Sequence, residues 1–145
     1  MLKGIPHILS PDLLHALQAM GHGDEITIVD GNYPGTSAGP RLIRADGHSG
    51  TELLEAILTV MPLDDFVPDP AIVMQVVGDA GQKPPVVTEY EKIVARFEPA
   101  VKLNSLERFA FYKRANAGYA MVQTGEQRLY GNIILKKGVI PPDGG

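Results

Sequence analysis

The sequence contains no cysteine among its 145 residues. Neither a disulfide framework nor a cysteine-ligated zinc site can therefore form, although the redox compartment stays undetermined. A basic excess is also lacking, because 13 Lys and Arg residues stand against 17 Asp and Glu residues, for a net charge of −4. This balance argues against a nucleic-acid surface and against binding to anionic membranes.

Long apolar runs are missing as well. No stretch approaches the ~18 consecutive apolar residues that a membrane-spanning helix needs. The opening MLKGIPHILSPDLL is interrupted by Pro6, His7 and Pro11 before the apolar region of a signal peptide could form. A cytoplasmic protein without a membrane segment is therefore the expectation.

Sequence signatures of cofactor and metal sites are absent too. The loop GNYPGTSAGP lacks the Lys-Ser/Thr pair of a phosphate-binding P-loop, and no G-x-G-x-x-G fingerprint occurs. His22, Asp24, Asp30 and His48 have side chains that could ligate a metal, but no two histidines have the spacing of a known metal motif. We therefore expect neither a cofactor nor a metal.

The distribution of apolar residues predicts alternating helices and strands. Ser10-Pro11-Asp12 has the pattern of a helix start, Ser49 and Glu52 form a potential capping box, and EITIVD (residues 25–30) reads as a buried strand. Further helices are predicted over LLEAILTVM, VVTEYEKIVARF and SLERFAFYKRANAG, and further strands over RLIRA, AIVMQVVG, VKLN, YAMVQTG and NIILKKG.

This order predicts one α/β domain over residues 1–145, with a mainly parallel sheet and helices on both faces. The last two strands are separated by only eight residues, so they could form an antiparallel edge. The final residues, 141–145, are expected to be a disordered tail.

Polar side chains flank the strand at residues 25–30. His22 lies between two glycines before this strand, and Asp30 closes it at the carboxyl end, where ligands gather in open α/β sheets. When each of these residues is considered alone, a structural role is the better interpretation. Asp30 could open the loop as an Asx-turn residue, His22 could contact the carbonyls at the end of the preceding helix, and Asp24 is expected to fix the turn.

Two later segments raise the same choice. Helical spacing places Arg108 on a stripe with Phe111 and Tyr112, so its charge needs either a structural salt bridge or the polar groups of a ligand. Tyr130-Gly131-Asn132 is either a plain turn, with Gly131 at positive φ, or a clamp for a polar ligand. Together these residues could perform acid–base work on an uncharged polar molecule.

Several motifs, in chain order, resemble the L-fucose mutarotase and D-ribose pyranase family: LSPDLL, MGHGDEI followed by Asp30, RADG, RFAFYKRA and TGE-x-x-x-YGNI-x-LKKG. The resemblance covers nearly the whole chain. It implies an enzyme that interconverts the anomers of a free monosaccharide without cofactor or metal, and a homo-oligomeric ring of ten subunits with sites near subunit boundaries. It implies His22 as the catalytic acid, and as sugar-binding residues Asp30, Arg108, Tyr130, Gly131 and Asn132.

The resemblance also bears on the sugar. Arg108 within RFAFYKRA is similar to the fucose-acting branch, which makes L-fucose the expected substrate. The loop after Asp30 departs from that branch, because it carries Gly-Thr where fucose-type members tend to have a histidine, and this difference could change the preferred sugar.

Mutarotation explains why a histidine would be needed. One group must protonate the ring oxygen while another removes the anomeric hydroxyl proton, and the roles reverse on closure. Histidine, with an unperturbed pKa of ~6.5, serves both directions. Asp30 would then orient a hydroxyl or stabilise the imidazolium. The alternatives are a non-catalytic sugar-binding accessory of an uptake system and, more distantly, a scaffold ring.

Overall fold

The computed structural model describes residues 1–143, and this part of the chain forms four helices and six strands. The predicted strand RLIRA is present in full, whereas the strand predicted to reach Gly78 ends at Met74. The helices are α1 (Pro11–Ala19), α2 (Gly50–Val60), α3 (Pro85–Phe97) and α4 (Arg108–Asn116). The strands are β1 (Glu25–Val29), β2 (Arg41–Ala45), β3 (Ala71–Met74), β4 (Asn104–Leu106), β5 (Ala120–Thr124) and β6 (Ile133–Lys136).

The strands form one sheet in the order β2-β5-β1-β6-β3-β4. The β1–β5, β2–β5 and β3–β4 pairs are parallel, so the predicted mainly parallel α/β sheet is confirmed. The predicted antiparallel edge is wrong in its position, because β6 is antiparallel but lies inside the sheet between β1 and β3. The segment 125–132 does not make a β5–β6 hairpin; it crosses the carboxyl end of β1 before β6 runs back.

Apolar side chains alternate between the two faces of the sheet, and each face has its own helices. On one face, Ile26 and Ile28 of β1 pack in a cluster with α1, α2 and α3. On the other face, Phe111 and Ala115 of α4 pack in a cluster with Met121 and the other residues of that face. Helices on both faces are therefore confirmed, and each fully buried large side chain contributes ~1.5–3 kcal/mol.

The helix starts follow from short polar signals. The Ser10 hydroxyl accepts the Leu13 amide at the start of α1, and Ser49 and Glu52 form the predicted capping box of α2. Glu107 caps α4 by accepting the amides of the next residues in the first turn. This cap starts α4 directly after β4. Because β1 and β3 are both antiparallel to β6, and β4 is parallel to β3, strands β1 and β4 run in the same direction, so Arg108 and Asp30 follow them at the same edge of the sheet.

Within residues 1–143, no helix combines the length and the apolar character needed to cross a membrane. Pro141 to Asp143 belong to no helix or strand. The rest of the expected disordered tail, residues 144 and 145, lies outside the described residues.

Candidate active site

A cavity of about 190 Å³ lies at the carboxyl edge of the sheet. Four of the predicted sugar-binding residues line it together, although they come from three separate parts of the chain. This is the edge at which open α/β sheets bind ligands. The lining residues are Asp30, Asn32, Tyr33, Met74, Val77, Arg108, Tyr112, Leu129, Tyr130 and Asn132.

Asp30 is held by backbone amides on both carboxylate oxygens. Its Oδ1 accepts the Asn32 N–H at 2.9 Å, which is the Asx-turn geometry expected from its position, and its Oδ2 accepts the Gly131 N–H at 3.2 Å. Burial nevertheless raises the pKa of Asp30 above its usual value, because these amides and the Asn132 side chain offset only part of the desolvation of the charge. Asp30 therefore serves the turn and also lines the cavity.

The segment Tyr130-Gly131-Asn132 closes over Asp30. The Asn132 side-chain oxygen accepts the Asp30 N–H at 2.8 Å, and the Gly131 carbonyl accepts the buried Tyr90 hydroxyl at 2.9 Å. The expected positive φ is wrong for Gly131, since Tyr130 has it instead, at 65°. A non-glycine residue in this region carries ~1–3 kcal/mol of backbone strain. The Tyr130 hydroxyl accepts the Val77 N–H at 3.1 Å, which helps to hold this conformation.

Gly131 is required here for space rather than for backbone freedom. A Cβ at this position would lie 2.9 Å from the Glu126 Cγ and 3.4 Å from the Asp30 Cβ. Any side chain would therefore push the segment away from the carboxylate that its amide contacts. This geometry therefore fits the interpretation of Tyr130-Gly131-Asn132 as a clamp better than its interpretation as a plain turn.

Arg108 has no carboxylate partner within residues 1–143. Its Nε is buried and lacks a hydrogen bond in the described part of the chain, while its guanidinium lies 4.7 Å from the centre of the Phe109 ring. The salt-bridge alternative is therefore wrong for these residues. An arginine that keeps donors free beside a polar cavity is suited to hydroxyl or anionic ligand groups.

Tyr33 also lines the cavity, and the sequence interpretation missed it. It is 7% exposed, its ring meets the Tyr112 ring edge-on at 5.2 Å, and its hydroxyl has no partner among the described residues. Burial raises its pKa, with nearby Tyr112 and Asp30 adding to the effect. Its only sequence signal is an aromatic residue in an otherwise small and polar loop.

His22 lies apart from this cavity. It precedes β1, whereas Asp30 follows β1, so five extended residues separate them by about 16 Å. Its Nε2 lies 3.0 Å from the Oδ1 of buried Asp64, and its ring lies 5.4 Å from the ring of Phe66. Within one chain, Asp30 therefore cannot stabilise a His22 imidazolium, and Asp64 takes that position.

The helix-cap interpretation of His22 is also wrong. The carbonyls at the end of α1, those of Leu17 and Met20, both accept the Lys137 ammonium at 2.6 Å. Asp24 does fix the turn, as expected, because its Oδ2 accepts the Gly21 N–H at 2.8 Å. His22 is left on the surface, with 45% of its side chain exposed.

The four side chains considered as metal ligands do not come together. Among the described residues, no three His, Asp or Glu side chains are grouped as a metal site would require. His22 pairs with Asp64, and His48 lies by Glu52 at 3.6 Å near the start of α2. The structure therefore separates His22, Asp30 and His48 into different surroundings.

A larger cleft of about 500 Å³ shares Tyr33 with the cavity. Gly35, Thr36 and Ser37 line it, and they begin the sequence G-T-S-A-G (residues 35–39), which has the spacing of a serine nucleophile elbow. The segment connects two strands instead of a strand and a helix, and the Ser37 hydroxyl donates to the Pro34 carbonyl at 3.2 Å. It therefore lacks the context that this motif needs.

The cavity combines complementary polar groups. Asp30 offers acceptors, Arg108 offers donors only, and Tyr33 and Tyr130 offer hydroxyls that do both. A molecule with several neighbouring hydroxyls, each a donor and an acceptor, matches this set. The cavity itself contains no histidine among the described residues, so the proton transfers expected of His22 need a further arrangement.

Residues 3–140 match the model of the RbsD / FucU transport protein family. A fucose mutarotase from Homo sapiens is 51% identical over 145 residues, covering 96% of this chain and 94% of that protein. Among solved structures, FucU from Bifidobacterium longum has a TM-score of 0.91 and 44% identity, over 96% of this chain and 100% of that chain. The fucose mutarotase from Streptococcus pneumoniae in complex with L-fucose has a TM-score of 0.89 and 44% identity, over 97% and 100% of the two chains.

Proposed function

Because this chain belongs to the RbsD / FucU transport protein family, we propose that it is an isomerase that interconverts the α and β anomers of free L-fucose. The observation that carries the proposal is the joint presence of Asp30, Arg108, Tyr130 and Asn132 around one polar cavity. Similarity over nearly the whole chain to fucose mutarotases, one of which was solved in complex with L-fucose, supports L-fucose as the substrate.

In this proposal the cavity binds the sugar and orients its ring. Arg108 donates to sugar hydroxyls through its free guanidinium N–H groups, and Asp30 accepts from them with its remaining lone pairs. The backbone amides already bound to Asp30 fix its carboxylate, so little further ordering is needed on binding. No bond of the sugar is broken by these contacts alone.

His22 supplies the proton transfer. As an imidazolium it protonates the ring oxygen, and the bond from C1 to that oxygen breaks. A water molecule accepts the proton of the anomeric hydroxyl, which becomes the carbonyl. Rotation about the C1–C2 bond and reclosure reverse these transfers and give the other anomer. A group that titrates near neutrality can serve both directions, and catalysis of this kind contributes ~10²–10⁴-fold.

A second copy of the chain completes the site, since His22 of the same chain lies at the opposite end of β1. Both ends carry exposed apolar side chains suited to such a contact. Phe66, beside His22, is 72% exposed. Val77 and Leu129 are exposed in the lining of the cavity, and Phe109 is exposed next to Arg108. We propose that this contact repeats in a closed ring, of ten subunits by family resemblance. A cytoplasmic location also stays a prediction.

Saturation transfer between the α and β anomeric NMR signals, with and without the protein, tests the proposal. L-fucose exchange should accelerate, and His22→Gln should lose about 10²–10⁴-fold of the acceleration while still binding sugar. His15→Gln is the matched control, since His15 is an exposed histidine of α1 outside the cavity. Acceleration that persists in His22→Gln would remove this histidine from the mechanism.

The second candidate function is sugar binding without catalysis, as an accessory of an uptake system. It is favoured by the cavity of the single chain, which has hydrogen-bonding groups but no histidine in its described lining. Saturable binding of L-fucose without faster anomer exchange, in the fully assembled protein, would favour this function over the isomerase.

A further inference from the structure

Glu126 is a buried carboxylate near the start of the segment that crosses the carboxyl end of β1. We propose that Glu126 is a positioning residue: it holds the Tyr130-Gly131-Asn132 clamp against Asp30 and thereby shapes the sugar cavity. The inference rests on the proposed function for the role of the cavity, and it names a residue outside the described lining of that cavity.

Both oxygens of the Glu126 carboxylate are fully used. Oε1 accepts the Gly50 N–H at 3.3 Å and a guanidinium N–H of Arg128 at 3.0 Å. Oε2 accepts the backbone N–H of Arg128 at 3.1 Å and its Nε–H at 3.0 Å. A carboxylate has about four acceptor positions, so these hydrogen bonds fill them. Because Glu126 is only 4% exposed, a donor that lost this carboxylate would find little water to replace it.

The backbone of Glu126 is fixed to the neighbouring strands. Its carbonyl accepts the Gly31 N–H at 2.8 Å, directly after Asp30, and its own N–H donates to the Thr124 hydroxyl at 3.1 Å. That hydroxyl donates in turn to the Val29 carbonyl at 2.7 Å. The main chain of Glu126 is therefore anchored at the carboxyl ends of β1 and β5, and its side chain directs the segment that follows.

The side chain reaches the clamp in two ways. The Arg128 N–H that it accepts lies two residues before Tyr130, so the carboxylate sets the path of the chain into the clamp. In addition, a Cβ on Gly131 would lie only 2.9 Å from the Glu126 Cγ, so the glutamate packs directly against this glycine. The Gly131 N–H donates to the Oδ2 of Asp30 at 3.2 Å. A displaced Glu126 side chain should therefore weaken that hydrogen bond.

Helix α3 holds the same region from outside. The Arg128 guanidinium also pairs with Glu89 of α3, and the buried hydroxyl of Tyr90 donates to the Gly131 carbonyl at 2.9 Å. The Glu89 side chain is 50% exposed, so its ion pair contributes little by itself. The buried contact between Arg128 and Glu126 is thus the one expected to fix the segment.

Loss of this support should act on Asp30 with a definite sign. Burial is the largest effect and raises the pKa of Asp30, while the Gly131 N–H is among the hydrogen bonds that lower it. Losing that N–H should raise the pKa further, whereas losing the negative charge of Glu126 alone would lower it. The other titratable or charged groups around Asp30 are Tyr33, Tyr90, Tyr112, Tyr130 and Arg108.

Amide hydrogen exchange followed by mass spectrometry tests the positioning role in the assembled protein without any sugar. Glu126→Gln places an amide donor where the carboxylate accepted two N–H groups, so residues 125–132 should exchange faster. Strand β3 is the internal reference, since it pairs with β4 and β6 and not with this segment. Unchanged exchange of residues 125–132, or an equal increase throughout the protein, would overturn the inference.

Calorimetry and kinetics with L-fucose measure the consequence. Glu126→Gln should weaken sugar binding at neutral pH by about 10-fold and raise KM similarly, because the clamp is displaced. It should change kcat much less, since Glu126 has no described contact with His22. The pH at which affinity rises should move upward with the pKa of Asp30. Movement of this pH downward would mean that Glu126 acts through its charge alone, and the positioning role would be wrong.

Glu89→Gln is the matched control, because it removes the outer partner of Arg128 and keeps all four hydrogen bonds of Glu126. It should leave exchange, affinity and their pH dependence as in the wild type.

A second variant covers the case in which Glu126→Gln does not fold. Arg128→Lys keeps a positive charge beside Glu126 but loses the two-point contact of the guanidinium, so it should show the same changes to a smaller extent. Unchanged exchange of residues 125–132 in this variant would then contradict the inference. A wild type that neither binds nor accelerates any aldose would defeat the proposed function instead, and the exchange measurement would still decide the role of Glu126.

Discussion

The backbone N–H of Asp30 donates a hydrogen bond to the side-chain oxygen of Asn132 at a distance of 2.8 Å, although the two residues are 102 positions apart in the chain. The contact exists because β6 lies next to β1 in the middle of the sheet. The segment that enters β6 must therefore cross the carboxyl end of β1. An antiparallel strand in a mainly parallel sheet is thus what brings the two halves of the cavity together.

Arg108→Ala should weaken sugar binding by about 10-fold or more, because hydrogen bonds from a charged donor contribute roughly 1.5–3 kcal/mol each. Its effect on the free energy of unfolding should be small, since no carboxylate within residues 1–143 depends on this guanidinium. Titration calorimetry with L-fucose and thermal unfolding measure the two effects separately.

Arg114→Ala provides the contrast on the same helix. The Arg114 guanidinium lies 2.7 Å from Glu25 and 2.9 Å from Asp69, and these carboxylates raise its pKa. Its removal should lower the free energy of unfolding by roughly 1–3 kcal/mol and leave sugar affinity almost intact. An Arg108→Ala variant that loses stability to the same extent would contradict a ligand-binding role.

Tyr33→Phe should leave the protein as stable as the wild type or slightly more stable. The deleted hydroxyl is buried and has no partner among the described residues, so its removal saves a desolvation cost of about 1–3 kcal/mol at most. Tyr90→Phe is the matched control, because it deletes an equally buried hydroxyl that donates to the Gly131 carbonyl. Thermal unfolding should show a lower Tm for Tyr90→Phe only. A lower Tm for Tyr33→Phe would indicate a partner that the single chain lacks.

Sugar affinity should rise with pH through the titration of Asp30. Burial raises its pKa above the usual 3.8, so the folded protein holds this proton more tightly than the unfolded chain does. The contribution of Asp30 to stability is therefore greatest below the unfolded pKa, and it is lost as the pH rises through the folded pKa. Binding follows the opposite direction, because the ionised carboxylate is the better acceptor for sugar hydroxyls.

Calorimetry with L-fucose from about pH 4 to about pH 7 measures this dependence, since the ordinary carboxyl value marks its lower end. Asp30→Asn is the control, and it should abolish the low-pH change in affinity. Wild-type affinity that stays constant over the whole range would show that the ionised form of Asp30 is not what binds the sugar.

Local sequence patterns predicted most of the elements and the helix caps at Ser10 and Ser49, because these depend on residues a few positions apart. They could not place β6, since strand order depends on which distant strands share a core. The grouping of Asp30 with Arg108 and Asn132 became an expectation only through the family resemblance.

The partners of individual side chains were beyond the sequence. Asp64 lies 42 residues from His22, and nothing in the pattern of either segment links them. Likewise, the Tyr33 hydroxyl stands out only once burial and the absence of a described partner are known. The separation of His22 from Asp30 was foreseeable, however, because a strand between two residues must hold them apart.

This separation gives the sharpest test of a site shared between copies. His22→Gln and Arg108→Ala should each be nearly inactive in anomer exchange, one for lack of the proton donor and the other for lack of sugar binding. If His22 of one copy acts in the cavity of its neighbour, coexpression in equal amounts gives mixed assemblies in which about a quarter of the sites have both residues intact. Saturation transfer should then recover about a quarter of the wild-type exchange rate, because random assembly pairs the intact residues at that frequency. The control for assembly is a chain that carries both substitutions and is coexpressed with wild type. These mixed assemblies should also recover about a quarter of the wild-type exchange rate. Mixed assemblies as inactive as their parents would place both residues in the site of a single chain and contradict the shared site.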